Sequence, residues 1–368
     1  MQNRASPRNS HYHFLDFLKT IASNLIVLHH LAFYGPMADY VKPVLPELIE
    51  WLQTQARIAV QTFLVIAGFL AAKSLSPQGR PGIANPLRAM LRRFLKLAPP
   101  FVAAMILAVA ASALARMWMT HDSISAPPTL AQLFAHATLL HGVLDYESLS
   151  AGVWYVAIDF QLYALLTLVL WLAGVLANGR STPALLPLLV AAGVAASLFH
   201  FNLDSGWDVW APYFFGSYGL GVLAWWAVAR KRIDAAFLTG GIVLLGGLAL
   251  AMEFRSRIAL ALTTSLLLVA VYRGGTGQSM RQWPLLEFFG RISYALFLVH
   301  FPVCLMVNAA FTRFMPETPE AQAIGMLFAW TASIAAGAAF QRWVEAPLGR
   351  LMNFVQAGVK TKAPPLAP

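Results

Sequence analysis

The chain has 368 residues, of which 58% are hydrophobic and only 11% charged. That balance excludes an ordinary soluble domain and indicates an integral membrane protein. The single cysteine, Cys304, excludes an intramolecular disulfide framework and a zinc-type cysteine cluster, and the net charge of +10 argues for a nucleic-acid partner only if the cations form a face on a soluble domain.

Apolar runs of about 20 residues, the length that crosses about 30 Å of hydrocarbon, fall near 14–34, 57–76, 98–118, 152–177, 184–201, 211–229, 235–252, 258–272, 290–312 and 322–343. They predict an all-α integral membrane protein, a bundle of about ten transmembrane helices with both termini on one side. Lys and Arg test that count. The terminal side collects Arg4, Arg8, Lys19, the group from Lys73 to Lys96, Arg180, Arg230 to Arg232, Arg273, Arg281, Arg291, Arg342, Arg350, Lys360 and Lys362, which is 20 of the 26 basic residues. The other side keeps Lys42, Arg57, Arg116, Arg255, Arg257 and Arg313. By the positive-inside rule both termini are cytoplasmic. The basicity is therefore topological, and no nucleic-acid partner is expected. The first span lacks a small-residue cleavage site and is expected to be a retained helix. One membrane domain is expected over 1–345, followed by a disordered cytoplasmic tail over 346–368 that ends "KTKAPPLAP".

In the first span, "KTIASNLIVLHH", Lys19 and His30 are eleven positions apart. That separation is about 1,100° of helix, close to three turns, so the two share a face about 16 Å apart along the axis. His29 points elsewhere. Ionisable groups inside a bilayer usually face a cavity or a partner, although Lys19 can also snorkel to the interface and His30 can decorate the outer one. In the fourth span, "VWYVAIDFQLYAL", Asp159 enters from the same side as His30 to a similar depth. An Asp159–His30 pair is expected, because a carboxylate holds an imidazole in one tautomer and raises its basicity. The plain alternative is a buried Asp bonded for packing.

"PLRAMLRRFLKLAPP" opens the third span with Arg88, Arg92 and Lys96 at helical spacing and Arg93 alongside. Such a face suits a phosphorylated ligand, though positive clusters at cytoplasmic helix ends are routine. Trp154 sits at the outer interface, where belt anchoring and sugar stacking explain it equally. His121, His136 and His141 lie in the long outer connection with no metal-ligand spacing and are taken as loop residues. No metal site is expected.

These residues resemble acyltransferase family 3, bacterial ten-helix membrane enzymes that acylate surface carbohydrates and related acceptors. "FLDFLKTIASNLIVLHH" is similar to the family's first helix, with its basic residue, ten intervening residues and histidine, which here are Lys19 and His30. "FLVIAGFL" resembles its segment ending Ser-Gly-Phe and "RRFLKLAPP" its basic motif before proline. "VWYVAIDFQLY" is similar to its Trp-led segment ending Glu-Glu-Gln-Phe-Tyr, and "GRISYALFLVHFP" to its late Gly-x-x-Ser-Tyr stretch ending His-x-Pro. Ala67, Gln61 and Phe160 depart from the family pattern, and Asp159 replaces a Glu.

The resemblance implies a multi-pass enzyme of the bacterial inner membrane. It would move an acyl group, most often acetyl, from cytoplasmic acyl-CoA to a hydroxyl of a carbohydrate or glycolipid acceptor at or beyond the outer face. His30 is then the general base and Asp159 its catalytic partner. Lys19, Arg92, Arg93, Lys96, Ser293, Tyr294 and His300 are expected along the acyl-CoA path, and His29 and Trp154 near the acceptor. The alternative from another class is a proton-coupled transporter using Lys19, His30 and Asp159. Oligomeric state leaves no mark in the sequence.

Overall fold

The structure is a computed structural model that describes residues 12–80, 82–178, 183–275 and 283–361. Arg4, Arg8, Arg180, Arg281, Lys362 and the end of the tail lie outside the described residues. Within them the chain is all-α, without strands. Helix α1 spans His13–Phe33, and the short α2 (Met37–Val41) and α3 (Pro46–Thr54) follow it. Helix α4 (Val60–Leu75) is entered through a 3-10 turn, Ala56–Ala59. The next helices are α5 (Pro86–Ala115), the short α6 (Leu130–Ala137), α7 (Trp154–Ala177), α8 (Leu185–Phe199) and α9 (Ala211–Ala229). Then come α10 (Arg232–Met252), α11 (Ser256–Arg273), α12 (Pro284–Phe314), α13 (Pro319–Phe340) and α14 (Ala346–Thr361).

Each of the ten apolar runs corresponds to one long helix. Eight are long and apolar enough to cross a membrane by length and composition alone. The exceptions are α1, which carries Asp16, Lys19, His29 and His30, and α9, which other helices surround. On α9 the sequence "APYFFGSYGLGVLAWWAVA" buries nearly every side chain, so it can carry Gly, Ser and Tyr where a lipid-facing helix needs aliphatic residues.

Two groups of helices share the core. In one, α9 is surrounded by α4, α8, α10 and α11; in the other, α12 packs on α1, α5 and α13. Helix α7 touches α5 and α9 and joins the groups. The α4–α9 contact depends on glycine. A Cβ on Gly68 would overlap the Tyr218 carbonyl, and one on Gly221 the Val65 carbonyl. The glycine of "FLVIAGFL" is thus a packing requirement, since backbones this close leave no room for a side chain.

Helix α5 begins 12 residues before the apolar run that announced it. Pro86 stands in its first turn and the Asn85 side chain accepts a 2.9 Å bond from the Arg88 amide, a capped start that makes the cationic stretch helical. The segment from 346, expected as a disordered tail, is helical through Thr361. It follows α13 through a π-helical turn, Gln341–Glu345, so the chain runs on without a break at 345.

Candidate active site

A cavity of about 550 Å³ opens on the Lys/Arg-rich side, walled by α1, α4, α5, α7, α12 and the start of α14. Lys19, Arg93, Lys96, Asp159, Ser293 and Tyr294 all line it. Three helices far apart in sequence, α1, α5 and α12, thus deliver most of the residues expected along the acyl-CoA path to one cavity, and α7 adds Asp159. On α5, Arg93 and Lys96 are i and i+3 and share a face. Arg92, one residue earlier, turns to the exposed side and does not line the cavity.

Polar contacts hold this wall. Arg93 donates to the Asp159 carboxylate in a charge-assisted bond, and its guanidinium lies 5.2 Å from the Tyr163 ring centroid. Lys19 Nζ is 3.6 Å from Asp16 Oδ1. Ser293 donates to the Gly290 carbonyl at 3.0 Å, and Tyr294 to the Leu97 carbonyl at 3.3 Å. Arg291, Gln341, Glu345 and Arg350 complete the polar lining. No sequence signal marked Glu345. Its place depends on the π turn, a feature that recurs at functional sites, and its Oε2 is buried without a hydrogen bond.

His30 stands apart from this cavity, bonded to His300. His30 Nδ1 is 2.5 Å from His300 Nε2, and His300 Nδ1 is 3.1 Å from the Leu296 carbonyl on its own helix. A carbonyl can only accept, so His300 Nδ1 carries a proton and His300 Nε2 is a lone pair. That lone pair must accept from His30 Nδ1–H. In the neutral pair the remaining lone pair therefore falls on His30 Nε2, the tautomer a general base needs. Both residues are buried, at 6% and 0% exposure, so the imidazole faces protein rather than lipid.

Aromatic side chains separate the pair from the cavity. Phe63, Tyr155 and Phe297 line the cavity and touch one another, and the Phe297 ring centroid lies 6.1 Å from that of His300. Gly152, at φ +81°, has no room beside it: a Cβ would come within 3.3 Å of both His30 and Phe297. The loop before α7 thus closes against the histidine at a position that favours glycine twice over.

A second cavity, about 920 Å³, opens near the N-terminal ends of α4 and α7 and is lined by Trp154, Gln61, Arg57, Arg255 and Arg257 among others. Its basic residues all belong to the minority set of the Lys/Arg count, and those of the first cavity all belong to the majority set. The two cavities meet different faces of the same helices, with Val60 and Gln61 against Phe63 on α4, and Trp154 against Tyr155 on α7.

A family model described as an acyltransferase domain matches residues 12–340. The chain belongs to acyltransferase family 3. No curated protein and no solved structure matches it. The matched span runs from the start of α1 to the end of α13, so it contains both histidines and most of the cationic wall but stops before Glu345. This acyltransferase is a multi-pass membrane protein, and among its described residues no group of three or more His, Cys, Asp or Glu is placed to hold a metal.

Several contacts in this acyltransferase differ from the expected ones. The Asp159–His30 pair does not form: Asp159 bonds Arg93 and His30 bonds His300. The reason is position around the helix: Asp159 meets α5 through Arg93, and Tyr155, one turn earlier on α7, packs on Phe297. His300, expected along the acyl-CoA path, does not line the cavity and bonds His30 instead. His29, expected near the acceptor, donates from Nδ1 to the Leu52 carbonyl at 2.9 Å. Trp154 does face the second cavity, stacked on Phe214 at 5.4 Å. The family departures are absorbed by packing. Phe160 meets Phe94 edge to face at 5.7 Å, Gln61 accepts from Ser217 at 2.6 Å, and Ala67 lines the first cavity.

Proposed function

We propose that this acyltransferase moves an acyl group, most simply acetyl, from cytoplasmic acyl-CoA to a hydroxyl of a carbohydrate or glycolipid at the outer face of the bacterial inner membrane. The observation that carries this is a cation-walled cavity on the Lys/Arg-rich side, backed by a buried His30–His300 pair whose free lone pair falls on His30 Nε2. Arg93 and Lys96 suit the phosphates of the donor, and Arg92, on the exposed side of the same helix, adds positive charge. Ser293, Tyr294 and Lys19 suit the polar atoms of the pantetheine arm. The thioester would then meet Phe63, Tyr155 and Phe297, and these rings must turn aside for the carbonyl to reach His30.

In direct transfer His30 Nε2 takes the acceptor's hydroxyl proton as the oxygen attacks the thioester carbon. The C–O bond forms, the C–S bond breaks, and the proton passes from His30 to the departing thiolate. His300 Nε2 accepts from the imidazolium throughout and keeps the ring in place. Asp159 serves the donor side, holding Arg93 in the wall.

The test is release of free CoA thiol from acetyl-CoA by the purified full-length protein in detergent, beside mass spectrometry of surface glycans from cells carrying the wild type or His30→Ala. Thiol release and a glycan mass difference, both lost in His30→Ala, are expected. A wild-type protein that releases no thiol under any acceptor, while moving protons in vesicles, would establish the transporter reading instead.

A further inference from the structure

The second cavity has a charge pattern that its own walls do not explain. Arg57, Arg255 and Arg257 line it, with Asp208 and Glu253 as the carboxylates. Among the described residues no ion pair joins these arginines to those carboxylates. Arg255 donates to Asn202 Oδ1 at 2.7 Å and to the Leu198 carbonyl at 3.0 Å, and its Nε is buried without a partner. Arg257 donates to the Asn202 carbonyl at 2.8 Å and to the Tyr213 hydroxyl. Every hydrogen-bond acceptor is neutral; Glu253 acts on Arg255 through charge alone, and no ion pair among the described residues reaches Arg257. Arg57 is exposed at the same wall.

His141 stands in this wall too. It is 1% exposed, and neither ring nitrogen has a hydrogen-bond partner. Its neighbour shows that this is not a general property of the loop: His136 has both nitrogens occupied, by the Gln132 carbonyl at 2.8 Å and the Leu149 amide at 3.2 Å. The His141 ring is held in a stack, 4.2 Å from His136 and 6.3 Å from Phe101 by centroid. A neutral imidazole offers one N–H donor and one lone pair, the complement of a hydroxyl. A buried polar group left unpaired in a native structure marks a missing partner. Trp154 adds an aromatic face to the same cavity.

We propose that this cavity is the acceptor site and that the acceptor is an acidic sugar, with its phosphate or carboxylate held by Arg57 and Arg257 and one of its hydroxyls by His141. The inference rests on the acyl-transfer reading for the word acceptor, but the binding claim stands on the cavity alone. It also gives His141, a loop residue by sequence, a ligand to bond.

Binding to the full-length protein in detergent tests it, with glucose 1-phosphate, glucuronate, glucose and inorganic phosphate as probes. Both acidic sugars are expected to bind at least tenfold more tightly than glucose and than phosphate. Arg57→Gln should lower the preference for acidic sugars over glucose at least fivefold. His141→Phe keeps the stack and removes the nitrogens, so it should raise the thermal midpoint while weakening all three sugars. Glucose binding as tightly as the acidic sugars, phosphate binding as tightly as either, or unchanged sugar affinity in His141→Phe would each overturn the proposal. His30→Ala separates the two readings, because it should bind glucose 1-phosphate normally. Acidic-sugar binding without any thiol release would remove the transfer reading and leave the site. Thiol release driven equally by glucose would remove the site inference and leave transfer.

Discussion

His30 Nδ1 and His300 Nε2 lie 2.5 Å apart, in rings whose planes differ by 9°, and this bond joins α1 to α12. Replacing His300 by Phe keeps the volume and removes the acceptor that fixes the His30 tautomer. The acyl-transfer rate is expected to fall by about 10²–10³, within the range that general bases contribute, with the KM for acetyl-CoA unchanged. His30→Ala should fall at least as far, and the double variant no further, because the two act as a unit. Steady-state thiol release reads all three.

The Arg93–Asp159 pair is a different kind of bond. Asp159 is 6% exposed and Arg93 24% by side chain. Removing one partner of a buried pair typically costs about 3–5 kcal/mol, and the partial exposure of Arg93 lowers that to roughly 2–3 kcal/mol. Asp159→Asn should lower the thermal midpoint accordingly and raise the KM for acetyl-CoA. Adding Arg93→Gln should restore part of the stability without restoring donor affinity.

Gly68 should tolerate no side chain. Gly68→Ala forces its Cβ into the Tyr218 carbonyl, and overpacking of this kind costs at least about 1–3 kcal/mol. Gly240 on α10 meets nothing within 4 Å, so Gly240→Ala should be neutral or stabilise by about 0.5–1 kcal/mol, the helical advantage of Ala over Gly. Thermal midpoints of the two variants in one detergent make the comparison.

Burial, then the neighbouring His136, holds the His141 imidazole down to about 4. A base with a lowered folded value resists charging in the fold and accepts a proton freely in the unfolded chain. Its effect on stability is therefore constant above the unfolded value of about 6.5. Between about 6.5 and 4, stability is lost as pH falls, by up to about 1.4 kcal/mol per pH unit. His141→Phe should flatten that part of the stability profile, measured by thermal unfolding across pH 4 to 7.

How far the sequence reaches is clear from Lys19, Lys96 and Asp159. The helices that carry them follow from hydrophobic periodicity, which depends on the bilayer more than on the neighbouring helices. The ten long helices were legible for the same reason. Arg92 and Arg93 show the limit. Adjacent residues on a helix point about 100° apart, and only the packed neighbour tells which one looks inward.

Residue types and their order along the chain determined a membrane bundle with a cationic wall on one side and a histidine deep in its first helix. The tertiary structure decided the partners: His300 for His30, Arg93 for Asp159, and an empty pair of nitrogens on His141. Partner choice depends on helix rotation and on contacts between segments as many as 270 positions apart, and a single chain read along its length carries no term for either.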